Sequence, residues 1–134
     1  MGARNISTVG FTSSQHFFAN VDNKSTIAQE EIFGPVLVVI PADSEDHAVA
    51  LANDTVFGLN ASVYTADVNR AKAVGARLRA GTVGHNACRT DFGVSFGGFK
   101  QSGLGREGGT EGLGEYLEAK FSIFEDVPDG YSLK

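Results

Sequence analysis

Residues 29–36, Gln-Glu-Glu-Ile-Phe-Gly-Pro-Val, lead directly into the apolar run VLVVI at residues 36–40. This run is continuously apolar and rich in β-branched residues, which is typical of a strand buried on both faces. Before it, the carboxylates of Glu30 and Glu31 can accept hydrogen bonds from sugar hydroxyl groups, and the ring of Phe33 can lie against a flat ring. A Gly-Pro turn presents these side chains at the start of the strand. By chemistry alone, the same stretch could also be an ordinary acidic loop.

The middle of the chain alternates between strand and helix patterns. After the first strand, Ser44 can cap a helix, a short strand follows near residues 61–64, Asp67 can cap a second helix, and residues 82–85 form a third strand. Short connections between such elements imply parallel strands joined by right-handed crossovers. The sequence therefore predicts an α/β fold, a three-layer parallel-sheet unit with a βαβαβ core over residues 36–86.

The last third of the chain has a different character. Glycine occupies nine of the 22 positions from Gly93 to Gly114, which predicts a Gly-rich loop over residues 93–109 that is either held by its neighbours or flexible. Thr110 can begin a short helix. The inward face of that helix would carry Leu113, Tyr116 and Leu117. Residues 120–125 alternate, with Phe121 and Ile123 on one face and Ser122 and Phe124 on the other, and predict a terminal strand with two usable faces.

The length of 134 residues is that of one ordinary domain, so we expect a single domain over residues 1–134. The net charge of −5 argues against a nucleic-acid-binding surface and against a basic membrane-binding surface. The longest apolar run has five residues, too few to span a bilayer. The first residues lack the apolar segment of a secretory signal, and Cys88 is the only cysteine, so we expect a reducing compartment, the cytoplasm. The three histidines lie far apart, so we expect no zinc site.

Two glycine motifs are poor matches to nucleotide-binding loops. Residues 103–108 fit GxGxxG, but that fingerprint needs a preceding strand and a helix that opens at its third glycine. Residues 93–100 nearly match a P-loop, but Phe99 stands where a glycine must precede the lysine, and Gln101 stands where Ser or Thr should follow it. We therefore predict neither type of phosphate site.

Ordered blocks of sequence carry a resemblance to a known family. The segment EEIFGPV at residues 30–36 is followed, within residues 51–120, by LANDTVFGLNASVYT, RLRAGTV, FGGFKQSGLGREGG and GLGEYLEAK. In this order the blocks resemble the C-terminal portion of the NAD(P)-dependent aldehyde dehydrogenase superfamily. The resemblance implies that the chain is one part of a catalytic domain, because members of this superfamily are much longer.

The resemblance also implies roles for four residues. Glu31 matches the glutamate that hydrogen-bonds the nicotinamide ribose, and Phe33 matches the aromatic residue beside the nicotinamide ring. Phe96 matches a residue of the substrate tunnel near the reacting aldehyde, and Cys88 lies in a loop that lines this tunnel. Each residue also has a plainer interpretation. Glu31 could be an exposed loop acid, Cys88 a small loop residue, and the two phenylalanines core residues.

Cys88 does not match the family's nucleophile. That cysteine occurs in a Gly-Gln-x-Cys-type motif upstream of EEIFGPV, whereas Cys88 follows Asn86-Ala87 and lies downstream. A thiol also needs a base or a positive field to become a thiolate. Nothing in the chain resembles the family's cofactor domain, nucleophile motif or general-base motif. We therefore predict no catalytic residue and no metal ligand here, and only part of a site for NAD or NADP.

Two functions of different classes fit these features. The first is that of a C-terminal fragment of an aldehyde dehydrogenase, inactive alone, whose full-length enzyme oxidises an aldehyde to a carboxylic acid. The second is that of a non-catalytic module that associates with full-length subunits through its terminal strand. The expected partners are an aldehyde and a nicotinamide cofactor in the full-length context, and further subunits in a homo-oligomer. The ordered blocks disfavour a third possibility, an unrelated α/β binding domain.

Overall fold

The strands and helices of the central region occur in the predicted order, and two further elements precede them. The computed structural model describes residues 14–89, 91 and 93–125. The elements are β1 His16–Ala19, α1 Thr26–Gln29, β2 Val36–Val39, α2 Glu45–Asn53, β3 Asn60–Val63, α3 Val68–Gly75, β4 Thr82–His85, a 3-10 helix Lys100–Ser102, and α4 Gly109–Gly114. Neither β1 nor α1 was predicted. Each has only four residues, too few for hydrophobic periodicity to identify its type.

All strand pairing within the named strands is parallel. Strand β1 pairs with β2, with Phe17 opposite Leu37, and β3 pairs with β4, with Ala61 opposite Val83. The α/β class with parallel strands is thus confirmed. One detail is corrected, because β2 and β3 belong to separate two-stranded sheets and residues 36–86 do not form one continuous sheet. Consecutive strands of a doubly wound sheet need not be neighbours, so chain order alone could not settle this pairing.

Both predicted helix caps are present. Ser44 Oγ accepts a hydrogen bond from His47 N at 3.1 Å at the start of α2. Asp67 Oδ1 accepts from Asn69 N at 2.8 Å and from Arg70 N at 3.3 Å at the start of α3. These side chains satisfy amide groups that have no partner within the helix, which fixes where each helix begins.

The packed interior of the described residues is small. Val49 of α2 and Ala71 of α3 are its buried apolar side chains, at 7% and 6% exposure. In contrast, Phe17 and Leu37 of the first sheet are 69% and 53% exposed. Much apolar surface on these strands therefore faces solvent. No helix in the described ranges is long and apolar enough to cross a membrane.

Residues 93–109 form an irregular segment that its neighbours hold in place. Phe96 and Glu107 form an antiparallel bridge, with both N–O distances at 2.7 Å. Phe99 N donates to Gly58 O at 2.8 Å, which ties the segment to the loop before β3. Of the two alternatives for a glycine-rich loop, these contacts correspond to the first, a loop fixed by hydrogen bonds to surrounding backbone.

The strand predicted at residues 120–125 is absent, and this prediction needs correction. Residues 120–125 adopt no regular secondary structure, and Phe121 and Ile123 are 92% and 97% exposed. A β-strand is defined by its hydrogen bonds to a neighbouring strand, and the part of the chain that the structure describes provides none here. The helix predicted from Thr110 begins one residue earlier, at Gly109. The helix ends at Gly114, so Tyr116 and Leu117, which were predicted on its inward face, lie beyond it. Both residues are exposed, as is Leu113.

Candidate functional site

The acidic loop lies between the end of α1 and the start of β2. Glu30 N donates to Thr26 O at 2.9 Å and closes the single turn of α1, after which the backbone becomes extended. Tight turns then bring the chain into β2, because Gly34 N donates to Ile32 O and Val36 N donates to Gly34 O, each at 2.8 Å. The predicted turn before the strand is therefore built from backbone hydrogen bonds.

Two side-chain amides fix α1 against the end of α2. Gln29 Nε2 donates to Asn23 O at 2.5 Å and to Asp54 O at 2.9 Å. Asn23 Nδ2 donates to Leu51 O at 3.3 Å and also to Asp54 O at 3.1 Å. Three of these four bonds join residues at least 25 positions apart, so they hold the acidic loop beside α2 and the loop that follows it.

An open cavity of about 420 Å³ lies beside this loop. Its lining includes the charged residues Glu30, Glu31 and Arg79. The other lining residues are Ala28, Gln29, Ala52, Asn53, Thr55, Phe57, Gly58, Leu59, Asn60, Ala61, Leu78, Ala80 and Ser102. Half of all the lining residues are polar or charged, although most of the cavity surface is apolar. A mixture of apolar surface and polar groups can hold a small molecule.

Glu31 is an exposed acidic residue in the lining of this cavity. Its side chain makes no hydrogen bond or ion pair with any residue that the structure describes. An ionised carboxylate offers about four acceptor sites, enough for two neighbouring hydroxyl groups. The carboxylate of Glu31 therefore keeps this acceptor capacity among the described residues. Within the described ranges, no group of three or more His, Cys, Asp or Glu side chains could hold a metal ion.

Phe33 lies two positions after Glu31 in the sequence, but it does not line the cavity. Its side chain is 94% exposed, so the described residues leave both faces of the ring open. An open aromatic face can stack on a flat heterocycle. The plainer interpretation of Phe33 as a core residue is wrong for this structure, since a core ring would be covered.

The two predicted tunnel residues lie elsewhere. Phe96 is half-buried at its bridge with Glu107, and Cys88 is an exposed free cysteine in the segment after β4. Neither residue lines the cavity beside Glu31. The described chain therefore brings one of the four predicted site residues, Glu31, to that cavity and does not gather all four in it.

The sequence did not reveal the polar contacts of three cavity-lining residues, Asn53, Thr55 and Arg79. Asn53 Oδ1 accepts from Arg79 N at 2.7 Å, and Lys100 Nζ donates to Asn53 O at 2.8 Å and to Thr55 O at 3.0 Å. These residues occur within the quoted blocks, but no local pattern distinguishes them. Their contacts span 26 to 47 positions of sequence, so only the folded chain reveals them.

Comparison with known proteins identifies the protein family to which the chain belongs. Residues 3–122 match the sequence model of the aldehyde dehydrogenase family, so the chain belongs to that family. Geranial dehydrogenase of Castellaniella defragrans is 44% identical over 119 residues, which cover 89% of this chain and 25% of that protein. Betaine aldehyde dehydrogenase of Brucella melitensis is 47% identical over 112 residues, 83% of this chain and 23% of that protein.

Solved structures give the same result. An aldehyde dehydrogenase of Mycobacterium tuberculosis, solved in complex with NAD+, matches with a TM-score of 0.78 and 50% identity over 87% of this chain and 24% of its own. A mutant of aldehyde dehydrogenase C of Pseudomonas syringae, solved with NAD+ and octanal, matches with a TM-score of 0.72 and 51% identity over 76% and 21%. The chain thus spans about a quarter of the length of these relatives.

Proposed function

We propose that this chain supplies one rim of the nicotinamide site and part of the substrate tunnel of an aldehyde dehydrogenase that uses NAD or NADP. One observation carries the proposal. Glu31, in the EEIFGPV segment, lines a cavity whose surface is mainly apolar, and its carboxylate has no partner among the described residues. The structures of relatives that contain NAD+ support a nicotinamide cofactor as the ligand.

In this proposal the residues of the chain bind and orient. The cofactor, when bound, accepts hydride from the substrate. Glu31 accepts hydrogen bonds from the hydroxyl groups of the nicotinamide ribose and so fixes the distance between the ring and the aldehyde carbon. Phe33 lies against the nicotinamide ring and restricts its rotation. Phe96 and Cys88 line the tunnel that leads the aldehyde, the substrate, to the ring.

Catalysis by this scheme needs groups that the chain does not provide. The family's reaction uses a cysteine nucleophile and a glutamate general base, and no stretch of this sequence resembles either motif. Cys88 is exposed and follows a different tripeptide. We therefore expect the 134-residue chain to be inactive alone and to contribute to catalysis as part of a complete enzyme.

The exposed apolar faces support this view of a partial domain. Phe17, Phe18, Leu37 and Val39 belong to one two-stranded sheet, and all four are more than 40% exposed. Further strands and helices of a three-layer domain would cover these faces. We also propose that the complete enzyme is a cytoplasmic homo-oligomer. The single cysteine of the 134-residue chain supports that location.

A chimera tests the proposal. The segment of the Mycobacterium tuberculosis enzyme that matches this chain would be replaced by this sequence, and hydride transfer to NAD+ would be followed in a single turnover. Glu31→Gln should slow this step on the order of 100-fold, because a small misplacement of the nicotinamide has a large effect on rate. Glu30→Gln is the matched control, since the neighbouring acid also lines the cavity. Equal rates for the two variants would contradict the role of Glu31.

The isolated chain provides a second test. It should produce no NADH from NAD(P)+ with short, long or aromatic aldehydes. Turnover that Cys88→Ala abolishes would show that Cys88 is the nucleophile and would overturn the proposal of an inactive part. The alternative function, an interaction module, predicts that the chain co-elutes with a complete aldehyde dehydrogenase in size-exclusion chromatography and leaves its activity intact.

A further inference from the structure

The backbone after β4 is fastened to the end of β3 by the side chain of Asn86. Thr65 N donates to Asn86 Oδ1 at 2.9 Å, and Asn86 Nδ2 donates to Thr65 O at 2.9 Å. The amide side chain thus pairs with both backbone groups of one residue, as a neighbouring strand would. Asn86 N also donates to Val63 O at 3.0 Å, which continues the ladder between β3 and β4 by one position.

The backbone at this position favours asparagine. Asn86 has φ of 51°, in the left-handed region. Asparagine tolerates this conformation better than most residues with a side chain. The chain therefore turns away from the sheet directly after β4, and the same residue provides both the turn and the hydrogen bonds that hold it.

A second contact fixes the next residue. Ser62 Oγ, on β3, donates to Ala87 O at 2.8 Å. Gly84 makes this contact possible, because a methyl group built at Gly84 would overlap the Ala87 carbonyl. The Ala87 carbonyl therefore folds back over β4 into space that any larger residue at position 84 would fill. Cys88, the next residue, is exposed beyond this turn.

We infer that Asn86 and Ser62 are positioning residues that hold the turn over residues 86–88 and so set where Cys88 stands along the tunnel wall. The last step rests on the proposed function, in which Cys88 lines the substrate tunnel. Two hydrogen bonds between Asn86 and Thr65 and one from Ser62 to Ala87 restrict the two residues that directly precede Cys88. Loss of these bonds would let Cys88 take up several positions, so the tunnel would fit the alkyl group of an aldehyde substrate less closely.

Because Cys88 is the only cysteine of the 134-residue chain, a nitroxide spin label attached to it reports on this turn directly. The label should give a restricted electron paramagnetic resonance spectrum in the unsubstituted chain. Asn86→Gly keeps the left-handed backbone and removes both side-chain bonds, and Ser62→Ala removes the bond to Ala87. Each variant should raise the mobile fraction of the label by about fivefold per hydrogen bond lost.

Two controls separate positioning from general stability. Asn69→Ala removes the same type of side chain from an exposed site on α3, where it makes no hydrogen bond within the described ranges, and should leave the spectrum unchanged. Val49→Ala weakens the buried interior and should lower the melting temperature without mobilising the label. A mobile label in the unsubstituted chain would overturn the inference. Unchanged spectra for Asn86→Gly and Ser62→Ala, or equal mobilisation by Val49→Ala, would also overturn it.

The chimera tests the consequence for the substrate. Asn86→Gly and Ser62→Ala should lower the ratio of kcat/KM for octanal to kcat/KM for propanal by about threefold to tenfold, since only the longer aldehyde contacts much of the tunnel wall. An unchanged ratio in an active chimera would overturn the positioning role in the tunnel. Glu31→Gln in the same chimera reports separately on the cofactor site, so a failure of the proposed function would be seen there instead.

Discussion

Two segments that follow β4 differ in their contacts with the rest of the chain. The Gly-rich segment, residues 96–107, offers few large apolar side chains, yet hydrogen bonds hold it against the loop before β3, and the ring of Phe99 contacts Arg79 in the loop before β4. The terminal segment, residues 113–125, is richer in such side chains, and all of them are exposed. Apolar residues contribute to order only where a complementary surface covers them, whereas well-placed polar partners can fix even a glycine-rich chain.

The ring of Phe99 is central to the first segment. Arg79 and Arg106 both lie over this ring, with their Cζ atoms 5.1 Å and 5.3 Å from its centre. Such cation–π contacts stabilise exposed or half-exposed sites by about 0.5–1 kcal/mol each. Nearby, Gly58 N donates to Ser102 Oγ at 2.9 Å. The segment is therefore fixed by a ring and by side-chain to backbone bonds.

The largest effect on stability should come from Phe99→Ala. The substitution removes a half-buried ring and both cation–π contacts, and should lower the free energy of unfolding by about 2 to 3 kcal/mol. Urea unfolding followed by circular dichroism measures this change. Phe121→Ala is the matched control, because Phe121 is 92% exposed and its loss should change stability by about 0.5 kcal/mol or less. Similar losses for the two variants would remove the distinction between the segments.

A smaller effect, on association, should come from Ile123→Lys in the terminal segment. Phe121, Ile123 and Phe124 together expose a large apolar area, and such areas favour association. We expect the isolated chain to self-associate at high concentration. Ile123→Lys should weaken this association by about 1.5 kcal/mol, which is roughly tenfold in the dissociation constant. Size exclusion with light scattering gives the measurement.

The control for this experiment lies in the Gly-rich segment. Leu104 is fully exposed but stands apart from the terminal cluster in sequence, so Leu104→Lys should leave the association unchanged. A monomer at high concentration, with no difference among the three proteins, would mean that the terminal segment contacts its own domain. A full effect from Leu104→Lys would place the association surface on the Gly-rich segment instead.

The same comparison explains which features were predictable from sequence. The helix caps at Ser44 and Asp67, and the order of strands and helices over residues 36–86, depend on patterns within a few residues, and the structure contains them. The position of Glu31 just before a strand was predictable for the same reason. By contrast, the bond from Gly58 to Ser102 joins residues 44 positions apart, and nothing local marks either residue as a partner.

Two predictions failed for a related reason. The strand over residues 120–125 and the inward face of α4 were inferred from apolar patterns alone. A pattern identifies residues that could be buried but not the surface that would bury them, and the described residues supply no such surface here. The pairing of β1 with β2 was missed because it joins two short runs that only the folded chain brings side by side.

The smallest predicted effect comes from Ser102→Ala, which tests how far single polar anchors hold the Gly-rich segment. Gly58 is buried, and its N–H donates to Ser102 Oγ, so the substitution leaves a buried donor without this acceptor. The free energy of unfolding should fall by about 1 kcal/mol, and amide exchange at Gly58 should become faster. Ser122→Ala, in the exposed terminal segment, is the control and should change neither quantity. If Ser102→Ala left amide exchange at Gly58 unchanged, the Ser102 bond would not hold the segment, and the backbone bond from Phe99 N to Gly58 O would hold it instead. Because Phe99→Ala keeps this backbone bond, its effect on stability would then come from loss of the ring alone.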